Sequence, residues 1–323
     1  MSPAALTLFI LSPLIAEYLL GSLPVSMIAI LPIMALIYGS GALLIREVAR
    51  RTHRGWGCIA LLACAYGFIE EGLLTQSLFN PNYLGLRLLD FGFIPALGTA
   101  LPWLVFVISI HVIWSICVPI GLTESLFRRH RDRPWLGTIG TGICCVLFLA
   151  GCALIAVFTY KQRPFVASTG QFTATVIIVI GLIVAAMKWA RPHEGRFNPP
   201  HPAILFAAAL IPGSALMGLQ QLAESRFHFS WWGCVAAVIG VEAVFVLFMA
   251  LFARGKIWTD RHRFALVAGG FLTYAWIGFV MDVELHGAAD LPAHSILALL
   301  LCLVLVLAGY RSSRDLAAAS CAA

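Results

Sequence analysis

Charged residues are scarce in this chain of 323 residues. Asp, Glu, Lys and Arg together make up 11% of it, whereas 61% is hydrophobic. Soluble domains carry roughly 25% charged residues, so this composition excludes a soluble globular protein. The mean hydropathy of +0.93 is typical of a polytopic membrane protein. No polar stretch is long enough for a second domain, and residues 1–323 are predicted to form a single transmembrane helical domain.

Several common site signatures are also missing. The nine cysteines form no Cys-x-x-Cys pair and no His/Cys cluster with zinc-finger spacing. The chain has no His-Glu-x-x-His, no Gly-x-Ser-x-Gly and no Walker loop, which excludes the usual zinc protease, serine hydrolase and nucleotide-binding motifs. The net charge of +6 does not indicate a nucleic-acid groove, and the expected partner is the lipid bilayer.

Ten apolar runs approach the roughly 20 residues that a membrane-spanning helix needs. They cover residues 4–22, 25–49, 57–78, 99–126, 136–159, 170–189, 203–220, 231–253, 264–281 and 292–310. The sequence therefore predicts an all-α, polytopic integral membrane protein with about ten transmembrane helices.

Basic residues alternate between the two sides of this predicted bundle. The loops after the even-numbered helices and the C-terminal tail contain Arg46, Arg50, Arg51, Arg54, Arg128, Arg129, Arg131, Arg133, Lys188, Arg191, Arg196, Arg254, Lys256, Arg261, Arg263, Arg311 and Arg314. The opposite side has only Arg87, Lys161, Arg163 and Arg226. By the positive-inside rule, both termini are predicted to be cytoplasmic, in a bacterial-type plasma (inner) membrane.

The acidic pair Glu70-Glu71 lies in the third predicted helix, within the apolar run 58–79. An ionised carboxylate inside a bilayer costs at least about 2.5 kcal/mol, so the default expectation for such a pair is function. The predicted topology places the pair in the outer half of the membrane, at a level similar to Glu17. His111 and Glu242 are expected near the midplane. These groups are predicted to surround one cavity that opens to the extracytoplasmic side.

Helical phase gives the two glutamates different neighbours. Residues three and four apart share a face, so Glu71 is expected beside Gly67 and Thr75, on a small polar stripe that a second helix can approach closely. Glu70 is expected beside Tyr66, Leu74 and Ser77. Because adjacent side chains are turned by about 100°, the two carboxylates are predicted not to point at one spot.

Glutamates combined with histidines can do two kinds of chemistry in a membrane. A carboxylate in a low dielectric can act as a general base. Together with imidazole it also offers oxygen and nitrogen ligands for a divalent metal such as zinc, which activates water. The loop between the ninth and tenth helices adds His286 and Asp290, which an i, i+4 spacing would bring together if that loop were helical.

The order of these motifs resembles the CPBP (Abi/CAAX-protease-like) intramembrane protease family. Its motifs are Glu-Glu-x-x-x-Arg, then Phe-x-x-x-His, then a histidine followed four residues later by Asn or Asp. The matching positions are Glu70-Glu71, His111, and His286 with Asp290. Thr75 stands where the family has arginine, and Val107 where it has phenylalanine. The resemblance implies that one glutamate activates water while the histidines and Asp290 stabilise the oxyanion or help to bind a metal.

Three functions stay open at this point. The first is an intramembrane hydrolase, protease-like, acting on a membrane-embedded peptide or a lipid-linked substrate with Glu70, Glu71, His111, His286 and Asp290 as catalytic candidates. The second is a proton-coupled transporter or exporter in which the same glutamates carry the proton. The third is a non-enzymatic binding or assembly protein whose polar cluster recognises a headgroup or a partner helix.

Overall fold

Ten apolar helices dominate the computed structural model, which describes residues 1–190, 197–222, 230–252 and 258–320. They are α1 (Pro3–Leu19), α2 (Val25–Arg51), α3 (Trp56–Leu74), α4 (Leu101–Leu126), α5 (Thr138–Gln162), α6 (Thr169–Lys188), α7 (Pro202–Leu222), α8 (Trp231–Phe252), α9 (Asp260–His286) and α10 (Leu291–Ser320). Within these residues, α2 to α10 are long and apolar enough to cross a membrane, and α1 is shorter. The predicted all-α membrane fold is confirmed.

The loops that follow even-numbered helices meet at one end of the bundle, which we call the basic end. Arg46 of α2 donates to the backbone oxygen of Arg131 after α4, and Arg128 pairs with Asp260 at the start of α9. Arg311 of α10 donates to the backbone oxygen of Leu126. The alternation read from the sequence is therefore present in the fold. Arg191, Arg196, Arg226, Arg254 and Lys256 lie outside the described residues.

The opposite end, which the predicted topology places outside and which we call the outer end, is closed by the connections that follow odd-numbered helices. After α3 the chain forms a long loop with two short antiparallel strands, β1 (Phe93–Ile94) and β2 (Thr99–Ala100). Gln76 in this loop accepts a hydrogen bond from the backbone of Ala167, between α5 and α6. Helix α3 ends at Leu74, earlier than the predicted residue 78, because the chain turns at Gln76, whose φ is +56°.

Helices α4 and α9 are the most buried of the candidate membrane spans within the described residues. In α4 and α9, 61% of the residues of the most apolar window are buried, compared with 11% in α5 and α8. One apolar core joins α1, α2, α3 and α4, and a second joins α1, α4, α9 and α10. Helices α5 and α8 leave most of their apolar surface uncovered by protein, as lipid-facing helices do.

Wide π-helical turns interrupt four helices. They span Leu14–Leu19, Ala35–Gly39, Ile69–Leu74 and His111–Cys117 in α1 to α4. In α3 the amide of Thr75 donates to the carbonyl of Glu70, five residues earlier, at 2.8 Å. Such turns are rare and frequently occur at functional sites because they shift the phase of the side chains. These four carry Glu17, Tyr38, Glu70-Glu71 and His111.

Candidate functional site

Glu70, Glu71 and His111 lie in direct contact between α3 and α4. Nε2 of His111 is 2.8 Å from Oε1 of Glu71, and Nδ1 is 3.5 Å from Oε2 of Glu70. The prediction that the two carboxylates point to different places is therefore wrong. The π turn at Ile69–Leu74 changes their phase, and the imidazole presents a nitrogen to each of them. We call these three residues the Glu-Glu-His cluster.

The small polar stripe of α3 is confirmed. The side chain of Thr75 donates to Oε2 of Glu71 at 3.0 Å, as the helical spacing predicts. A Cβ atom on Gly67 would lie 3.2 Å from Cβ of His111, so the missing side chain lets α4 approach α3. This close approach places the imidazole against the acidic pair.

Hydroxyl groups hold each member of the cluster in place. Tyr38 of α2 donates to Oε1 of Glu70 at 2.5 Å, and the Oγ of Ser115 lies 3.2 Å from Nδ1 of His111. Ser77 donates to the same Glu71 oxygen as Thr75. One oxygen of each glutamate is thus occupied by hydroxyl donors, and the other faces the imidazole.

Ser77 was expected beside Glu70 but contacts Glu71. Helical phase does not extend to residue 77, because α3 ends at Leu74 and Gln76 adopts a left-handed backbone conformation. The reversal folds Ser77 back under the acidic pair, where Nε1 of Trp103 donates to its hydroxyl at 3.2 Å. The loop after α3 therefore completes the site.

A further tyrosine and a third carboxylate lie near the cluster. The hydroxyl of Tyr66 is buried beside Glu70. Glu17 of α1 is half-buried, donates nothing and accepts from Ser22 at 2.6 Å. It interacts electrostatically with Tyr38, Glu70 and His111. Glu17, which was expected at a similar level in the membrane, therefore lies near enough to the acidic pair to interact with Glu70.

The three cluster residues are almost fully buried. Glu70 is 4% exposed, Glu71 7% and His111 4%. Each offers one ligand atom such that all three atoms lie within 4.8 Å of one another. Their salt bridges within the described residues are to one another, without Lys or Arg. This arrangement can activate water, carry a proton or hold a metal ion.

The other predicted site residues lie elsewhere. His286 contacts the backbone oxygen of Ser22 at 3.2 Å, and Asp290 accepts from the backbone of Val25 and Ser26. They are not joined by one helix, because α9 ends at His286 and Gly287 has a φ of +74°. Glu242 of α8 accepts a hydrogen bond from Ser109 of α4. The contacts found within the described residues do not connect these groups to the Glu-Glu-His cluster.

A second buried pair lies near the outer end, between α9 and α10. Asp282 and His294 are both fully buried, and their four side-chain polar atoms make no hydrogen bond within the described residues. The ring of His294 packs over Gly278, where a Cβ atom would come within 3.0 Å of Nε2. This pair is separate from the Glu-Glu-His cluster.

Sequence reasoning missed Tyr38 and Ser115 as members of the site, whereas Tyr66 lies beside Glu70 as the helical spacing predicts. Ser115 has a usable signal, since it follows His111 by four residues on the same helix. Tyr38 has none, because a tyrosine within an apolar helix is also ordinary core packing. The contact of α2 with α3 and α4 makes it part of the site.

A family model described as an uncharacterized membrane protein family matches residues 6–312. The chain belongs to this family. The resemblance to the CPBP proteases is therefore wrong as an assignment, and the departures at Thr75 and Val107 agree with that correction. Family members are membrane proteins by description, as the ten apolar helices also indicate. Neither the curated proteins nor the solved structures include a match to this chain.

Proposed function

We propose that this protein is an intramembrane hydrolase, protease-like, with the Glu-Glu-His cluster as its catalytic centre. The observation that carries the proposal is the convergence of two carboxylates and one imidazole, all buried, on irregular turns of two membrane helices. Buried ionisable groups held in contact are typical of acid–base sites. The substrate class is a peptide within or beside the bilayer of a bacterial-type inner membrane.

Glu71 and His111 have distinct roles in this reaction. Glu71 removes a proton from water, and the water oxygen attacks the carbonyl carbon of the scissile peptide bond. His111, held between both carboxylates, orients Glu71 and stabilises the negative charge that develops on the carbonyl oxygen. The proton then passes to the leaving nitrogen as the C–N bond breaks, which yields a carboxylate and an amine.

The packing below the cluster supports hydrolysis more than alternating access. Towards the basic end, buried apolar side chains fill the space between α2, α3 and α4, among them Leu43, Ile59 and Ile120. Half-buried Glu17 and Tyr83 lie towards the outer end. We expect substrate and water to reach such a site from the outer side. A transporter needs a path to both sides.

Asp282 and His294 favour a second candidate, proton-coupled transport. Two buried ionisable groups with unpaired polar atoms are typical of proton carriers in membrane proteins. In that case Glu70 and Glu71 would carry the coupling proton. The acidic pair would then be needed for proton flux into liposomes rather than for bond cleavage.

The test uses the purified full chain in liposomes, mixed with solubilised membrane proteins in water labelled with heavy oxygen. Hydrolysis places the label in each new C-terminal carboxylate, which mass spectrometry detects without knowledge of the substrate. We expect labelled termini with the wild type and about 100-fold fewer with Glu71→Gln or His111→Ala, because removing a general base costs about this factor.

Glu242→Gln is the matched control, since Glu242 is also a membrane carboxylate bonded to a serine on α4. It should leave the labelling unchanged. Wild-type labelling no greater than that of Glu71→Gln would refute hydrolysis. Proton flux lost only in Glu71→Gln would then support transport, and a changed complex without either activity would support a binding protein.

A further inference from the structure

We infer that the Glu-Glu-His cluster is a binding site for one divalent transition-metal ion, with Zn²⁺ or Co²⁺ as suitable probes. Binding itself stands on the geometry of the cluster, whereas the use of the ion to activate water rests on the proposed hydrolase function. The inference depends on three observations: the spacing of the ligand atoms, a buried oxygen of Glu70 without a hydrogen-bond donor, and the hydroxyls that fix the other glutamate oxygens.

The ligand set fits an ion of this class. Two carboxylate oxygens and one imidazole nitrogen lie within 4.8 Å of one another. Zinc binds such atoms at about 2.0–2.2 Å, so its ligands lie about 3–3.5 Å apart in a tetrahedral site. The 2.8 Å contact is made by Nε2 of His111 and the 3.5 Å contact by Nδ1, so one ion would take a single imidazole nitrogen together with one oxygen of each glutamate. A first-row divalent ion matches mixed oxygen and nitrogen ligands better than soft Cu⁺ does.

One buried oxygen of the cluster lacks a hydrogen-bond donor. Oε2 of Glu70 accepts no hydrogen bond within the described residues. An unpaired buried polar group costs about 1–3 kcal/mol, and more if it is charged. The Glu70 oxygen faces the imidazole at 3.5 Å. An ion between Glu70, Glu71 and His111 would satisfy it.

The surrounding hydroxyls form the outer shell that a metal site needs. Each glutamate has one oxygen fixed by hydroxyls, from Tyr38 on Glu70 and from Thr75 and Ser77 on Glu71. The remaining oxygen of each is left for the ion. Such outer contacts fix the orientation of ligands and typically contribute 10–100-fold in metal affinity.

Charge also favours a cation. Two carboxylates face one imidazole, and Glu17 adds a third acid nearby, without a Lys or Arg in salt-bridge contact within the described chain. A divalent ion would neutralise this excess where lipid and protein screen it poorly. At the basic end of the same bundle, arginine side chains neutralise the buried carboxylate instead.

The experiment titrates the metal alone into full-length protein in detergent, after removal of bound ions with a chelator. Bound Co²⁺ gives visible absorption bands that report its ligands. We expect one Co²⁺ per chain, displaced by Zn²⁺, and a loss of at least tenfold in affinity with Glu71→Gln or His111→Ala. Tyr38→Phe should weaken binding about tenfold, by removing an outer contact only.

Glu242→Gln should bind Co²⁺ like the wild type. Equal binding by wild type, Glu71→Gln, His111→Ala and Tyr38→Phe would mean that any ion sits elsewhere, and it would overturn the inference. Stoichiometric binding without heavy-oxygen labelling would keep the metal site and refute the hydrolase. Labelling that persists after complete removal of metal would refute only the role of the ion.

Discussion

Two buried clusters of charged residues occupy opposite ends of this bundle, and they are built differently. At the basic end, Glu124 pairs with Arg46 at 2.9 Å and with Arg50 at 2.7 Å. Glu47 accepts from the backbone of Trp135, and the guanidinium of Arg46 also stacks 3.2 Å from the centre of the Trp135 ring. Towards the outer end, the two carboxylates of the Glu-Glu-His cluster accept hydrogen bonds from hydroxyl groups and contact one imidazole.

The presence or absence of paired arginines indicates which cluster stabilises the fold and which one serves a function. A buried acid that is fully paired with arginine holds helices together, and removing one partner is costly. A buried acidic pair without arginine carries negative charge that the fold does not neutralise. Proteins keep such groups mainly at functional sites. The two clusters should therefore respond in opposite ways to loss of charge.

The largest effect is expected for Arg46→Ala. It leaves Glu47 and Glu124 without their shared cation and removes donors to the backbone of Arg131 and Arg133. Breaking a buried ion pair from one side costs about 3–5 kcal/mol in free energy of unfolding. Reversible unfolding in mixed micelles measures this change in the free energy of unfolding.

Arg51→Ala is the control. The side chain of Arg51 is 37% exposed, so its removal should cost about 1 kcal/mol or less. Equal losses in both variants would contradict a structural role for the buried network.

Neutralising one acid in each cluster tests the comparison most directly. Glu124→Gln should lower the free energy of unfolding by about 3 kcal/mol, because buried Arg46 and partly buried Arg50 lose the carboxylate they share. Glu70→Gln keeps an acceptor for Tyr38 and removes an unneutralised charge, so stability should stay within about 1 kcal/mol of the wild type or rise. The same unfolding assay applies. A loss from Glu70→Gln as large as that from Glu124→Gln would make the outer cluster a structural one.

Much of the fold was predictable from the pattern of apolar and basic residues along the sequence. Apolar runs and the alternation of Arg and Lys identify the ten helices and their shared end, because bilayer thickness and charge placement act on single segments. The end of α3 was not predictable to within a turn. It depends on Gln76 in a left-handed conformation and on its contact with Ala167, 91 residues further along the chain.

The candidate site was predictable in its strongest members only. Glu70, Glu71 and His111 stand out because charge in lipid is costly, whereas Tyr38 resembles a core residue. The shared contact of both glutamates with His111 required the π turns, which propensity and period do not indicate. Asp290 shows the opposite error: its carboxylate is conspicuous in the sequence, yet two backbone amides already occupy it.

The smallest effect is expected for Asp290→Asn. Asp290 accepts hydrogen bonds from backbone amides, unlike the acids of the Glu-Glu-His cluster, and it has no arginine partner, unlike Glu124. Burial raises the pKa of Asp290, but hydrogen bonds from the backbone N–H groups of Ser26 and Val25 outweigh it and hold the pKa below its usual value. Because the folded pKa lies below the unfolded one, the stability is present above about pH 4 and lost as pH falls through the folded pKa. Asp290→Asn should therefore lower the free energy of unfolding by about 1 kcal/mol at pH 7.

Thermal unfolding should show the stabilities of the wild type and Asp290→Asn converging at acid pH. Co²⁺ binding and heavy-oxygen labelling should be unchanged at pH 7. A variant with normal stability but lost labelling would instead return Asp290 to the catalytic site.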